Sequence, residues 1–243
     1  CIRDRKIVFM SRYIAQNKTT ISYPVKRYQI QKVYRAEGHK VATGRFNEFY
    51  QSDIDVVGYN TLDIAYDSEF PAIICNILKN VFNVERFVMR ISNRKLLEGL
   101  FRENGVKQVD KIKRAVRIID DIEKVEQETI LASLDEIGIN FESAETIFSL
   151  FRELYDRSPS EAITYLKEYN FKDKQILEGI QELETVINGV IANGVDEKYF
   201  KLDARIARGL DYYTGTVYET NLLDHMEIGS ICSGCLLYTS DAA

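Results

Sequence analysis

From Lys95 to Asn193 the apolar residues return with helical spacing, and on both sides of that block the pattern changes to that of strands. Strands, a long helical block, then strands again point to one sheet domain interrupted by an inserted helical domain. The fold class expected is therefore α+β. Residues 24–58 read as two strands, PVKRYQIQKVYR and FNEFYQSDIDVVG, both rich in β-branched and aromatic residues. They are joined by AEGHKVATG, a polar loop longer than a tight hairpin needs, and such loops often carry function. SEFPAIICNILKNVF has helical spacing and ERFVMRIS reads as a strand. Within the block, Ser158-Pro159-Ser160-Glu161 forms a capping box with proline at the first helical position. Gln175 to Ile191 is amphipathic, with Gly194 as its stop. Strand character returns near Lys198, in YFKLDARIARGLDYYTGTVYETNLL.

The stretch GRFNEFYQSDIDVVG has an unusual alternation. Extended, it puts Phe49, Gln51, Asp53 and Asp55 on one face, and Tyr50, Ser52, Ile54 and Val56 on the other. A solvated strand face carries mixed charges. This one carries two acids, an amide and a ring, with no lysine.

Composition narrows the function classes. With 45% hydrophobic and 28% charged residues in 243, the chain has the make-up of a soluble globular protein. No apolar run approaches the ~18 residues of a membrane span, and the expected location is the cytoplasm. The net charge of −5 gives no general attraction to nucleic acid, so such a partner must be met by a local basic patch. Cys232 and Cys235 form a single CSGC without a second pair or a nearby His, too little for zinc, and no metal site is expected.

The two ends read as foreign to the rest. Codons available to CIRDR, read on the opposite strand, spell Cys-Leu-Leu-Tyr, which is the sequence of residues 235–238. Inverted repeats of this kind look like a sequencing adapter translated with the gene. Residues 1–5 and 235–243 are accordingly expected to be adapter-derived. The remaining divisions are 6–98 and 198–234 as two parts of one core, with 99–197 as the helical insertion.

Two segments then coincide with one family. RYQIQKVYRAE, a loop and GRFNEFYQSDIDVVG resemble motif 2 of class II aminoacyl-tRNA synthetases in its histidyl-tRNA synthetase form. ARGLDYYTGTVYE resembles the histidine-specific motif of the same enzymes, and GSICSG the start of their next strand. SRYIAQN and RISNRKLLEGLF extend the likeness over nearly the whole chain between the two ends. The resemblance implies the antiparallel sheet core of class II synthetases, incomplete here and interrupted by the insertion. It also implies ATP-dependent formation of histidyl-adenylate, followed by transfer to tRNA(His). The substrates implied are L-histidine, ATP and tRNA(His), with Mg2+ bound through ATP and a homodimer for the full-length enzyme.

By the same resemblance, Arg35 binds the α-phosphate, Arg208 reaches it from the other side as the catalytic arginine, and Arg45 meets the distal phosphates. Guanidinium suits these tasks because its paired donors match phosphate oxygens and its charge is permanent. Phe49 stacks adenine, Gln51 lies at the amino end of histidine and Asp55 at its imidazole, with Tyr213 as the partner of Asp55 and Tyr212 beside it. Imidazole has one donor and one acceptor nitrogen, so its site needs one group to accept and one able to donate.

Some family motifs have no counterpart. CIRDRKIVFMSRY stands where the family has LRxDLTVPxARY, placing Arg5 at the acid and Ile7 at the threonine that hold the amino group. Motif 1, motif 3, GGRYD and an anticodon-binding domain are unmatched. The chain alone is therefore expected to bind ATP and histidine weakly and not to charge tRNA. Two non-catalytic relatives are the alternatives. One is a histidine sensor like the ATP phosphoribosyltransferase regulatory subunit, which lacks the insertion; the other is the tRNA-binding synthetase-like module of a stress kinase. A long insertion together with Arg35 and Arg208 favours the enzyme. Lastly, Lys107, Lys111 and Arg114 recur at helical spacing opposite Val109, Ile112, Val116 and Ile119. The apolar stripe should pack inward and leave a basic ridge for tRNA phosphates.

Overall fold

A computed structural model describes residues 10–34, 46–207 and 214–235. The chain divides into two compact units, Cys1–Tyr66 and Asp67–Ala243.

In the first unit, helix α1 over residues 10–16 precedes strands β1 (Val25–Tyr34) and β2 (Glu48–Val57). The strands pair antiparallel along their full length, from Val25 opposite Val57 to Tyr34 opposite Glu48. β2 ends at Gly58, where a Cβ would stand 2.3 Å from the carbonyl oxygen of Thr61. Only glycine admits the tight turn that follows, in which Asn60 takes a positive φ of 64°.

The second unit opens with α2 (Glu69–Asn76), which widens into a π-turn at Ile77–Val81, within the stretch read as helical. β3 (Phe87–Asn93) follows and runs directly into α3 (Arg94–Glu103). The junction is sharp because the Asn93 side chain accepts from the Lys95 amide at 2.8 Å, satisfying a donor of the first turn. Next come α4 (Val109–Ile119), α5 (Gln127–Glu136), α6 (Phe141–Asp156), α7 (Pro159–Glu168) and α8 (Lys174–Ala192). The chain returns as β4 (Phe200–Leu202), β5 (Thr216–Leu222) and β6 (Ser230–Cys235). The sheet order is β4-β3-β5-β6, so β3 from before the helical block does join the strands after it. β1 and β2, however, form a two-stranded sheet of their own and are not part of one sheet as the sequence pattern suggests. β5 pairs antiparallel with both β3 and β6, while β3 and β4 run parallel, as the long helical excursion between them permits.

Every residue of β3 is buried, as expected of a central strand covered on both faces. The capping box at α7 forms as its sequence predicts, Ser158 and Glu161 each bonding the other's backbone amide. Asp173 starts α8 by accepting from the amides of Gln175 and Ile176, and Gly194 follows its end at φ 83°. α3 and α8 approach closely because glycines face each other's helix. A Cβ on Gly99 would lie 2.3 Å from Ile176 Cγ1, and one on Gly179 would lie 2.9 Å from the Leu96 amide nitrogen.

Candidate functional site

The pleat of β2 places Phe49, Gln51, Asp53 and Asp55 on one face, and the register adds Val33, Gln31, Gln29 and Arg27 opposite them. This face is the more sheltered one. Val33 is buried and the other seven are half-buried. The reverse face carries the tyrosine rings yet meets solvent, with Tyr28 78% and Tyr50 70% exposed. The side with the acids and amides is thus the sheltered side, the inverse of an ordinary amphipathic hairpin.

Along the row the polar groups hold one another. Arg27 Nη2 lies 2.7 Å from Asp55 Oδ2, and Arg27 Nη1 donates to Gln29 Oε1 at 3.0 Å. Gln51 Nε2 donates to Asp53 Oδ1. These bonds fix side chains that would otherwise sample several rotamers, and they set a carboxylate beside a permanent cation. A carboxylate such as that of Asp55 offers acceptors only, which suits a ligand N–H. The sequence alone does not single out Arg27. Its signal is the alternation Arg27, Gln29, Gln31, Val33, but pairing it with Asp55 requires the register.

Phe49, Gln51 and Asp55 therefore share one face, as the alternation predicts. Arg35, Arg45, Arg208, Tyr212 and Tyr213 lie outside the described residues. The flanks of the RGLDYYTG segment are described. Ile206 and Ala207 precede it, 5% and 1% exposed, and the carbonyl of Gly215, its last residue, accepts from the Arg94 amide at 3.0 Å.

The basic ridge differs from expectation in three places, the first being that Lys107 precedes α4, which begins only at Val109. On α4, Ile112, Ala115, Val116 and Ile119 are buried, but Val109 is 64% exposed. Its angle around the axis suits the stripe, but it is the first residue of the helix. Lys111 is half-buried, its Nζ lying against Gly138 closely enough that a Cβ there would come within 2.9 Å. Lys107 and Arg114 are exposed, and Lys113 and Arg117 add exposed charge beside them.

Among known proteins, the family model for histidyl-tRNA synthetase matches residues 9–224. A histidine–tRNA ligase of Nostoc punctiforme is 42% identical over 228 residues, covering 93% of this chain and 47% of that protein. One from Clostridium tetani is 40% identical over 225 residues, covering 93% and 49%. The crystal structure of histidyl-tRNA synthetase from Nostoc sp. PCC 7120 superposes with a TM-score of 0.83 at 40% identity, over 92% of this chain and 50% of that one. The chain spans about half the length of the curated relatives it matches. On the match of the family model over most of its length, this chain belongs to the histidyl-tRNA synthetase family.

Proposed function

We propose that the protein from which this chain comes is a histidine–tRNA ligase, joining L-histidine to ATP as histidyl-adenylate and passing the histidyl group to tRNA(His). The observation that carries the reading is the sheltered polar row of β2, with Asp55 held by Arg27 on the face shared by Gln51 and Phe49. In this reading Phe49 stacks on adenine, Gln51 holds the amino end of histidine and Asp55 accepts from the imidazole, and Tyr212 and Tyr213 are further histidine-binding residues. Arg35 and Arg208 stabilise the charge that grows on the α-phosphate as the histidine carboxylate attacks, and Arg45 holds the outer phosphates. Mg2+ comes bound to the ATP phosphates, so no protein ligand set is required of the described residues. The core comprises 6–98 and 198–234, the insertion 99–197, and the working enzyme is a cytoplasmic homodimer.

The pocket is tested by Asp55→Asn in a form of the protein as long as its relatives. An amide in place of the carboxylate leaves both Arg27 and the imidazole without their charged acceptor, a loss of about 3 kcal/mol or roughly a hundredfold. The KM for histidine should rise by that factor while the KM for ATP stays nearly constant. An unchanged histidine KM would remove Asp55 from the pocket.

The insertion gives a second expectation. Changing Lys107, Lys111 and Arg114 together to Gln should raise the KM for tRNA and flatten its salt dependence, by roughly one unit of slope for each phosphate no longer neutralised. Histidine-dependent ATP–pyrophosphate exchange should not move. If the tRNA kinetics and their salt slope are also unmoved, the ridge is a solvated face only.

A further inference from the structure

A buried charge cluster stands just before the RGLDYYTG segment and joins three parts of the second unit. Arg90 on β3 donates through Nε to Asp203 Oδ2 at 2.8 Å. Its two terminal nitrogens grip both oxygens of Glu123 at 2.8 and 2.6 Å. Arg205 takes Asp203 from the other side, Nε to Oδ1 and Nη2 to Oδ2, both at 2.7 Å. The Arg205 guanidinium also lies over the Tyr155 ring of α6, 4.5 Å from its centroid. Side-chain exposure is 0% for Asp203, 5% for Arg90 and 24% for Arg205, so this is not a surface ion pair. Burial alone pushes the Asp203 carboxyl up, but Arg205 and Arg90 outweigh it and hold the group below the usual carboxylate range.

The cluster's position gives it meaning. The Asp203 amide donates to the Ile91 carbonyl at 2.8 Å, and the Arg94 amide donates to the Gly215 carbonyl at 3.0 Å. Both ends of the segment carrying RGLDYYTG are therefore tied to the end of β3 and the start of α3. Glu123 comes from the connection between α4 and α5, inside the helical block, and Tyr155 lies in the same block. A buried, doubly bridged carboxylate is a costly way to gain stability alone, since well-packed apolar residues often do as well. It does specify one geometry.

We infer that Arg90, Asp203, Arg205 and Glu123 form a clasp through which the helical insertion sets the position of the RGLDYYTG segment, making them positioning residues for the adenylation step. This rests on the reading of Arg208 as a catalytic residue. It also gives the insertion a part in the first reaction, beyond any contact with tRNA. A shift of the insertion that draws Glu123 away would free one side of Arg90 and loosen the base of the segment.

The test uses Glu123→Gln, chosen because Glu123 is 47% exposed and its loss leaves the buried Arg90–Asp203 bond in place. In a form of the protein with exchange activity, kcat for histidine-dependent ATP–pyrophosphate exchange should fall on the order of tenfold with little change in either KM. In an Arg208→Ala background the same change should cost nothing more, because the group it positions is gone. Hydrogen exchange should quicken at the amides of 203–207 and 214–216 while α6 to α8 stay protected. Unchanged exchange at those amides, or a full additional loss in the double variant, would overturn the clasp. Quickened amides with an Arg208→Ala variant of normal rate would keep the clasp and remove the catalytic reading instead.

Discussion

Asp67→Asn is expected to stabilise the second unit by about 2–4 kcal/mol at pH 8 and by little near pH 4. Asp67 is 1% exposed, and its Oδ2 finds no hydrogen-bond partner among the described residues. Burial pushes its carboxyl up to about 7 from 3.8, the Thr216 hydroxyl works the other way, and the charge of Glu182 adds to the rise. The folded chain thus holds this proton where the unfolded chain has released it. The stability it contributes is complete below pH 4, falls as pH rises toward about 7, and is flat beyond. The gap between 3.8 and about 7 corresponds to about 4 kcal/mol, from which the weaker fit of an amide subtracts. Denaturant unfolding of parent and variant at pH 4, 6 and 8 reads the effect. A constant difference at all three, or a variant less stable at pH 8, would show that the fold does not raise the Asp67 carboxyl above its unfolded value.

Arg208→Ala should lower the rate of adenylation far more than it weakens histidine binding. Charge on the α-phosphate grows toward the transition state, so a fixed cation aimed there acts mainly on kcat. One preorganised donor of this kind is worth about 3 kcal/mol, or roughly 10²-fold. Single-turnover formation of histidyl-adenylate separates this from binding. A variant with normal turnover would make Arg208 structural.

The elements are legible wherever local chemistry decides them. Ser158, Pro159 and Glu161 announce α7, Gly194 marks the stop of α8, and the two-residue period of β2 puts Phe49, Gln51 and Asp55 on one face. What escapes a reading of the sequence depends on partners distant along the chain. Arg27 meets Asp55 only through the cross-strand register. Nothing local in ERFVMRIS shows that Arg90 is buried, because the carboxylates that hold it, Asp203 and Glu123, arrive from two other segments. The parallel pairing of β4, a strand of three residues, is likewise set by the sheet and not by its own pattern. Lys111 and Val109 show the limit of a helical wheel. It gives angles around an axis but not where the neighbouring helices end. The resemblance to the synthetases is carried by the motifs, which depend on chemistry at fixed positions more than on packing.

Activation of histidine by the protein from which this chain comes is the proposal on which the rest depends. ATP–pyrophosphate exchange, measured on a form as long as the relatives with each amino acid in turn, tests it most directly. Exchange is expected with histidine and only background with the rest, since a pocket built around Asp55 leaves its polar groups unpaired against apolar side chains. Histidine binding without exchange would contradict it and point to a sensor; exchange driven by another amino acid would contradict the pocket itself.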